Sequence, residues 1–259
     1  AMCNVGNGSV TYTPADDFCD DIDTFEYEVC DGMTCDSATV TIIVNCPSSY
    51  PPYDIGTVTT VDANGLPDSI NITCQITGIV HGVDLQGGAA IQFTLIDATG
   101  GISVFSGTDL GYTVNEGDLL VIQGTIGHFN GLSQITPDNI TFGSSGNDLV
   151  TPAVVTELNE STESELIRIN GLTIVDPGQW TNTGSGFNVD VTDGANTYQM
   201  RIDNDVDIYG TNPPTGTFSA IGIGGQFDNS SPHDEGYQFL PRYLPDLIFG
   251  FSAVNDDVS

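Results

Sequence analysis

Short runs of alternating apolar and polar residues recur along the chain and predict β-strands. In the amino-terminal segment, apolar side chains occupy every second position in 25–29 and again in 40–44. A period of two places these side chains on one face of a strand. Turns rich in Asp and Gly separate the runs, so residues 1–46 are predicted to form three or four short strands.

The alternation continues in two longer blocks. In the first block the predicted strands are 70–81, 90–98, 101–106, 118–127 and 132–142. In the second block a short helix at 154–165 is predicted to precede strands at 166–175, 186–192, 196–203, 216–226 and 236–248. Five strands with glycines at the bends favour a small Greek-key barrel of the OB type in each block.

Two groups of residues recur in both blocks in the same order. Gly124, Gly127, Phe129 and Asn130 correspond to Gly222, Gly225, Phe227 and Asp228, and 134–137 correspond to 238–241. A glycine within a strand marks a bend or bulge, which a closing barrel requires. We therefore interpret the blocks as two copies of one barrel.

The predicted fold class is all-β: a partial Ig-like β-sandwich followed by two OB-like Greek-key barrels. The sandwich is assigned to 1–46 and a stiff Pro-rich linker to 47–56. The first barrel is assigned to 57–150, and the second, with an acidic tail, to 151–259.

The amino-terminal strands carry a resemblance. Segments 8–14, 23–31 and 38–42 resemble the cadherin-like, immunoglobulin-type tandem repeats of bacterial surface proteins. The match covers the carboxy-terminal half of such a repeat, whereas a complete sandwich has about seven strands. The missing strands are expected either from upstream residues or from another chain.

The second barrel carries another resemblance. Segments 222–228 and 236–243 resemble OB-type modules of bacterial proteins that are exported by the type IX secretion route. The resemblance implies an extracellular or cell-surface location. It implies no single activity, because related modules accompany nucleases, proteases and adhesins.

The charge excludes several partners. The formal net charge is −32, and the three cations are Arg168, Arg201 and Arg242. A nucleic-acid phosphate backbone is bound through Lys and Arg, and an anionic membrane surface would repel this chain. Since no apolar run approaches about 20 residues, membrane insertion is not expected either.

The cysteines predict disulfides and an oxidising compartment. Cys30 and Cys35 flank a tight predicted hairpin, where two sulfurs can meet. We pair the others as Cys3–Cys19 and Cys46–Cys74, the last as a staple between modules. Zinc is the alternative, although Cys-x-x-Cys knuckles are lacking.

Two acidic clusters are candidate calcium sites. The first comprises Asp16, Asp17, Asp20, Asp21 and Asp23, and the second Asp203, Asp205 and Asp207. Calcium prefers such oxygen ligands, but neither cluster has the EF-hand spacing. The alternative is a solvated acidic turn. Calcium is the one cofactor that the sequence suggests.

Three further positions are candidates for recognition or modification. Trp180 follows a turn signal and is a candidate ligand-binding residue, with a role as a core lid as its alternative. Ser37 and Ser69 lie in Asp-Ser-small segments that resemble the O-glycosylation sites of bacteria using this secretion route. The three histidines lie far apart in sequence and form no catalytic motif, so enzymatic activity is not expected.

Two functions remain from these observations. The first is a structural protein: a subunit of a surface fibre or an adhesin that self-associates head to tail, or with other surface proteins, by β-strand addition. The alternative is an accessory ligand- or glycan-binding module of a secreted hydrolase.

Overall fold

A computed structural model describes residues 2–6, 9–15, 18, 21–44 and 49–250. The chain divides into two compact units, 1–49 and 50–259. The strands β1 (Met2–Gly6), β2 (Ser9–Thr13), β3 (Asp21–Cys30) and β4 (Cys35–Val44) form the first unit. They pair as two antiparallel hairpins, β1 with β2 and β3 with β4.

The first barrel comprises a short helix and five strands. These are α1 (Ile55–Val58), β5 (Thr73–His81), β6 (Ile91–Ile96), β7 (Gly101–Ser106), β8 (Leu119–Phe129) and β9 (Leu132–Ser144). The strands close in the order β5-β6-β7-β9-β8, and β7 and β9 pair in parallel. A closed five-stranded barrel of this order is the predicted OB-type architecture, which the structure confirms.

The helix α1 corrects the predicted linker at 47–56. Ile55 and Val58 are fully buried in the core of the first barrel, because their spacing places both on one face of a helical turn. The Ile55 N–H donates to Asp97, and Pro52 bridges to Gln75 of β5. The second unit therefore begins at Tyr50, and residues 50–56 belong to the barrel.

The second barrel repeats the arrangement. Its strands are β10 (Ala153–Val154), β11 (Leu166–Ile174), β12 (Gly186–Thr192), β13 (Thr197–Asp203), β14 (Phe218–Gln226), β15 (Tyr237–Leu240) and β16 (Leu247–Phe249). The sheet runs β11-β12-β13-β15-β14, and β14 pairs back to β11. β13 and β15 pair in parallel, as β7 and β9 do.

Two sequence predictions in this barrel are wrong. The helix expected at 154–165 is replaced by the end of β10 and a single 3-10 turn at Glu160–Thr162, because Asn159 is extended, with φ −159° and ψ −175°, and Ser164 has a positive φ of 56°. The strand expected at 236–248 is divided into β15 and β16. Pro241 and Pro245 lie between them, and proline has no N–H to donate to a sheet.

The parallel pairing of β9 with β7, and of β15 with β13, places the repeated residues at equivalent positions in the two barrels. Gln134 lies opposite Ser103 in the first barrel, and Gln238 lies opposite Gln199 in the second. A Cβ on Gly124 would lie 2.3 Å from the Thr136 oxygen, and one on Gly222 would lie 2.7 Å from the Leu240 oxygen. Both glycines therefore allow the fifth strand to cross the fourth without a clash.

A buried ion-pair network joins the barrels. Arg242, after β15, donates from Nη1 to Glu116 of the first barrel at 2.6 Å, and from Nε and Nη2 to Asp246 at 3.0 and 3.1 Å. The same Glu116 oxygen accepts the Gly82 N–H at 2.8 Å. One guanidinium thus links the carboxylates of both barrels, with little exposure to solvent.

Uncharged contacts extend this interface. His81 is buried, and its Nε2 accepts the N–H of Val150 at 3.1 Å, so the ring proton lies on Nδ1 and donates to the Ile79 carbonyl. Burial lowers the pKa of His81. Ile96 of β6 packs with Leu166 and Ile223 of the second barrel.

A second buried carboxylate crosses the interface. Glu163 accepts the Ser133 N–H at 2.8 Å from the first barrel. Its Oε2 is buried without a hydrogen-bond partner among the described residues. Burial, with a smaller contribution from the charge of Glu160, raises the pKa of Glu163 to about 7, although the Ser133 N–H acts in the opposite direction.

Gly124→Ala is expected to lower the free energy of unfolding by about 2 kcal/mol, because the added methyl group overlaps the Thr136 carbonyl. Gly127→Ala in the same strand is the matched control, since a Cβ there meets no atom within 4 Å. Urea unfolding of both variants measures the difference. Equal stabilities would show that the close crossing of β8 and β9 is unimportant.

Arg242→Met is expected to destabilise the second unit by about 3 kcal/mol, because the buried Asp246 and the half-buried Glu116 would lose their cation. The control is Arg168→Met, which removes the same charge from a side chain that bonds Asn170. Both variants are compared by urea unfolding. A similar loss in both would assign the effect to net charge instead.

Because of Glu163, the free energy of unfolding is expected to fall as the pH rises from about 4.5 to about 7. Its pKa is higher in the folded chain than its ordinary value of 4.5, so the folded state binds more protons in that window. Glu163→Gln should remove this loss, worth about 3 kcal/mol, whereas the exposed Asp148→Asn should not. Thermal unfolding across this pH range measures both, and parallel curves for wild type and Glu163→Gln would refute the assignment.

Candidate functional site

One face of the β3–β4 hairpin is apolar and only partly covered. We call it the Ig-type face; it consists of Phe25, Tyr27, Val29, Val40, Ile42 and Val44. Phe25 lies directly opposite Val40, and Asp23 opposite Ile42. Tyr27 is 47% exposed and Val29 63% exposed, whereas the other four residues of the face are half-buried. Among the first unit's residues with described burial, none is buried, so this part of the unit has no closed core.

The opposite face of the hairpin is mostly polar. Its one directly opposed apolar pair is Ile22 with Ile43, and Thr24, Glu26 and Thr41 lie beside it. An antiparallel sheet with one apolar and one polar face normally packs its apolar face on a second sheet. The hairpin therefore has the pattern of half a sandwich, as the sequence predicted.

The cysteine predictions have different outcomes. Cys30 and Cys35 form the predicted disulfide across the end of the hairpin, with Cα atoms 4.1 Å apart. Cys74 is a buried free thiol in the first barrel, so the predicted Cys46–Cys74 staple is wrong. Cys74 points into the barrel core, and burial raises its pKa. The side chains of Cys3, Cys19 and Cys46 lie outside the described residues.

The first acidic cluster lies largely outside the described residues, since Asp16, Asp17 and Asp20 are not among them. Asp23 accepts the Tyr12 hydroxyl at 3.0 Å, and Asp21 accepts the N–H of Ile22. The described residues contain one three-membered group of metal-ligand type, Glu28 with Cys30 and Cys35. Both sulfurs belong to the disulfide, so they are not thiolate ligands.

The second acidic cluster does not converge. Asp203 is buried and accepts the Asp205 N–H, whereas Asp205 and Asp207 are exposed and Asp207 accepts the Leu244 N–H. Their oxygens are not among the described sets that lie within 4.8 Å of one another. Val206, between Asp205 and Asp207, and Ile208, after Asp207, are buried, whereas the side chains of Asp205 and Asp207 face solvent. The geometry does not support calcium there.

Trp180 is a core residue, so its prediction as a ligand-binding side chain is wrong. It is 7% exposed, its ring contacts Phe187 at 5.3 Å between centroids, and its indole N–H donates to the Thr211 carbonyl at 2.8 Å. The ring thus serves as the core lid that the sequence offered as the alternative. Ser37 is exposed and Ser69 half-buried, and their glycosylation stays a prediction.

A groove of about 470 Å³ runs between the two barrels. We call it the inter-barrel groove. The first barrel contributes Leu85, Gln86, Gln92, Phe129 and Leu132; the second contributes chiefly Asn188, Arg201, Asp203, Asp205, Gln226, Phe227, Gln238 and Leu240. The second barrel presents the outer side of β12 and β13 to this groove. Side chains from both copies of the repeat therefore share one concave surface.

The two barrels meet beside the groove. Phe129 contacts Phe227 edge to face, with centroids 6.1 Å apart, and the Asn130 carbonyl accepts the Asp228 N–H at 2.7 Å. The groove is a slot of roughly the size of a small-ligand site.

The polar groups of the inter-barrel groove are held in place by hydrogen bonds, but two amide oxygens lack a hydrogen-bond partner within the described part of the chain. Arg201 donates to Asn188 and to the Ser185 carbonyl, and lies 3.8 Å from Asp203. Gln226 donates to two carbonyls, but its Oε1 and that of Gln238 are buried without a hydrogen-bond partner among the described residues. Native proteins rarely leave such atoms unpaired.

Sequence reasoning identified the pairing of Phe129 with Phe227 but took it as a repeat alone. The correspondence was a usable signal, because the equivalent residues Phe129 and Phe227 meet where the two copies pack. Arg201 and Gln238 gave no such signal, since their meeting depends on how the barrels dock.

Comparison with known proteins agrees with this architecture. Residues 2–43 match a family described as a bacterial Ig domain. No curated protein matches the chain at a significant level.

Several solved structures are similar in fold. The second OB-fold domain of replication protein A from Methanococcus maripaludis is 18% identical over 38% of this chain and 99% of that chain, with a TM-score of 0.27. The tetrameric p202 HIN2 structure is 10% identical over 65% and 86%, with a TM-score of 0.32. A murine DNA-binding protein bound to double-stranded DNA is 7% identical over 64% and 90%, with a TM-score of 0.33. Such values concern the fold alone.

Among the described residues, no helix is long and apolar enough to cross a membrane. An Ig-like amino-terminal segment, a disulfide and two OB-type barrels are together consistent with an extracellular or cell-surface protein.

Proposed function

We propose that this chain is a non-enzymatic building block of an extracellular assembly, a surface fibre or adhesin, in which a β-strand from a neighbouring copy completes the Ig-like unit. The observation that carries the proposal is the Ig-type face. It exposes an apolar surface that a sandwich would bury, on a hairpin whose two strands pair only with each other among the described residues.

Strand addition suits this hairpin physically. The outer edges of β3 and β4 offer main-chain donors and acceptors, and an added strand would satisfy them while covering the apolar face with alternate side chains. The subunit that donates its strand has the same open hairpin. Contacts of this kind therefore continue from copy to copy and give a filament.

The charge and the disulfide support an extracellular setting. A net charge of −32 keeps separate copies apart at low ionic strength, whereas at about 0.15 M salt the Debye length falls to about 8 Å and short-range contacts can dominate. Export by the type IX route is part of this proposal, on the resemblance of the second barrel. No substrate or cofactor is required for it.

A second candidate function is ligand binding, as in an accessory module of a secreted hydrolase. The specific observation in its favour is the inter-barrel groove, with its aromatic end and unpaired amide oxygens. A chain of this architecture can perform both functions, because the two sites lie on different units.

Self-association of the 259-residue chain is expected in sedimentation velocity, increasing with protein concentration and with salt. Ile42→Asp should weaken it by about a hundredfold, because a carboxylate would be buried against the added strand. Ile43→Asp, at the adjacent position on the opposite face, is the matched control and should leave association unchanged.

Circular dichroism would establish that both variants keep their strands. The proposal fails if the chain remains a monomer at every concentration and salt. It fails also if both substitutions have the same effect, or if another segment of the same polypeptide covers the Ig-type face in a stable monomer.

A further inference from the structure

The inter-barrel groove combines flat apolar surface with planar polar groups. Phe129 and Phe227 are each more than half exposed although their rings touch. A large aromatic side chain that remains exposed beside a concave surface offers a stacking platform. Because the rings meet at 67°, they present two differently oriented apolar surfaces to whatever lies in the slot.

The polar lining consists mainly of amides. Gln86, Gln92, Asn188, Gln226 and Gln238 all line the slot. Each amide carries two N–H donors and an accepting oxygen on one rigid plane. Such a group matches a pair of neighbouring hydroxyls, since every hydroxyl both donates and accepts.

Gln238 lines the slot, and a ligand reaches its buried Oε1 if the amide turns toward the slot. It is 6% exposed, and its Oε1 has no hydrogen-bond partner among the described residues. Leaving such a group unpaired costs about 1–3 kcal/mol. In the first barrel its counterpart Gln134, at the equivalent register position, lies outside the groove and keeps no buried unpaired atom.

The charges of the slot select among ligands. Arg201 is the one cation in its lining, and Asp203 and Asp205 outnumber it. Arg201 is already engaged by Asn188, Ser185 and Asp203. An anionic ligand would therefore meet an acidic slot on a chain of net charge −32. Nucleic acids and polyuronates are disfavoured for that reason.

We infer that the inter-barrel groove binds a short neutral saccharide, with sugar C–H faces on Phe129 and Phe227 and hydroxyls on Gln238, Asn188 and the neighbouring amides. The volume of about 470 Å³ limits the ligand to a few sugar units. This inference specifies the ligand of the second candidate function and is independent of strand addition.

The test uses the 259-residue chain in isothermal titration and saturation-transfer NMR. The neutral probes are cellotriose, maltotriose, laminaritriose, xylotriose, mannotriose and chitotriose. The anionic probes are trigalacturonate and a short single-stranded DNA. At least one neutral trisaccharide is expected to bind, and neither anion.

Two pairs of variants locate the site. Phe227→Ala should weaken binding by about tenfold or more through loss of stacking. Phe142→Ala, a phenylalanine of similar exposure on β9 and outside the groove, should not. Gln238→Leu should abolish binding without lowering stability, because it removes a buried unpaired oxygen. Gln134→Leu is its control.

Each result decides between distinct conclusions. Failure of every neutral probe at millimolar concentration overturns the inference, as does binding that survives both Phe227→Ala and Gln238→Leu. Binding of an anion that these two variants abolish would overturn the ligand class but keep the groove as a binding site. Neither outcome bears on self-association, which is measured separately.

Discussion

The arrangement of the second unit depends on Arg242. In a chain with three cations and 35 acidic residues, this single guanidinium reaches carboxylates of both barrels and is nearly withdrawn from water. An ion pair of this kind contributes more to the choice of one geometry than to net stability, since the desolvation of its charges offsets much of their attraction. Its network leaves no buried member unpaired. We interpret it as the contact that sets how the two barrels dock.

That docking creates the groove. The outer surface of β6 and β7 in the first barrel is partly covered by Ile223, Gly224 and Leu240 of the second. The equivalent surface of the second barrel, on β12 and β13, remains open and forms one wall of the slot. In two barrels of one plan, this surface therefore differs: it is part of the interface in the first barrel and lines the open slot in the second.

The amino-terminal unit is organised on another principle. The second unit has closed barrels whose strands satisfy one another, and its interior is filled by aliphatic and aromatic side chains. The described strands of the first unit form only two-stranded sheets, with a disulfide closing one hairpin. A two-stranded sheet is marginal by itself in water, so its apolar face requires a cover from elsewhere.

The sequence alone determined the fold class, most strand positions and the repeat, because these depend on local periodicity and on glycines whose backbone must pass close to another strand. The strand predicted at 101–106 and that at 186–192 coincide with β7 and β12. The Cys30–Cys35 bridge was equally local, since the two cysteines are five positions apart in one hairpin. Tertiary structure decided the rest. Ile55 was predicted as linker because its burial depends on the barrel core that it fills. Cys74 was predicted as a disulfide partner because its burial is not a local property either. The ion pair of Arg242 with Glu116 joins two residues that are more than a hundred positions apart. The groove does the same for Gln238 and the residues of the first barrel that line it. No local sequence pattern predicts these contacts, because they depend on how the surfaces of two folded barrels dock.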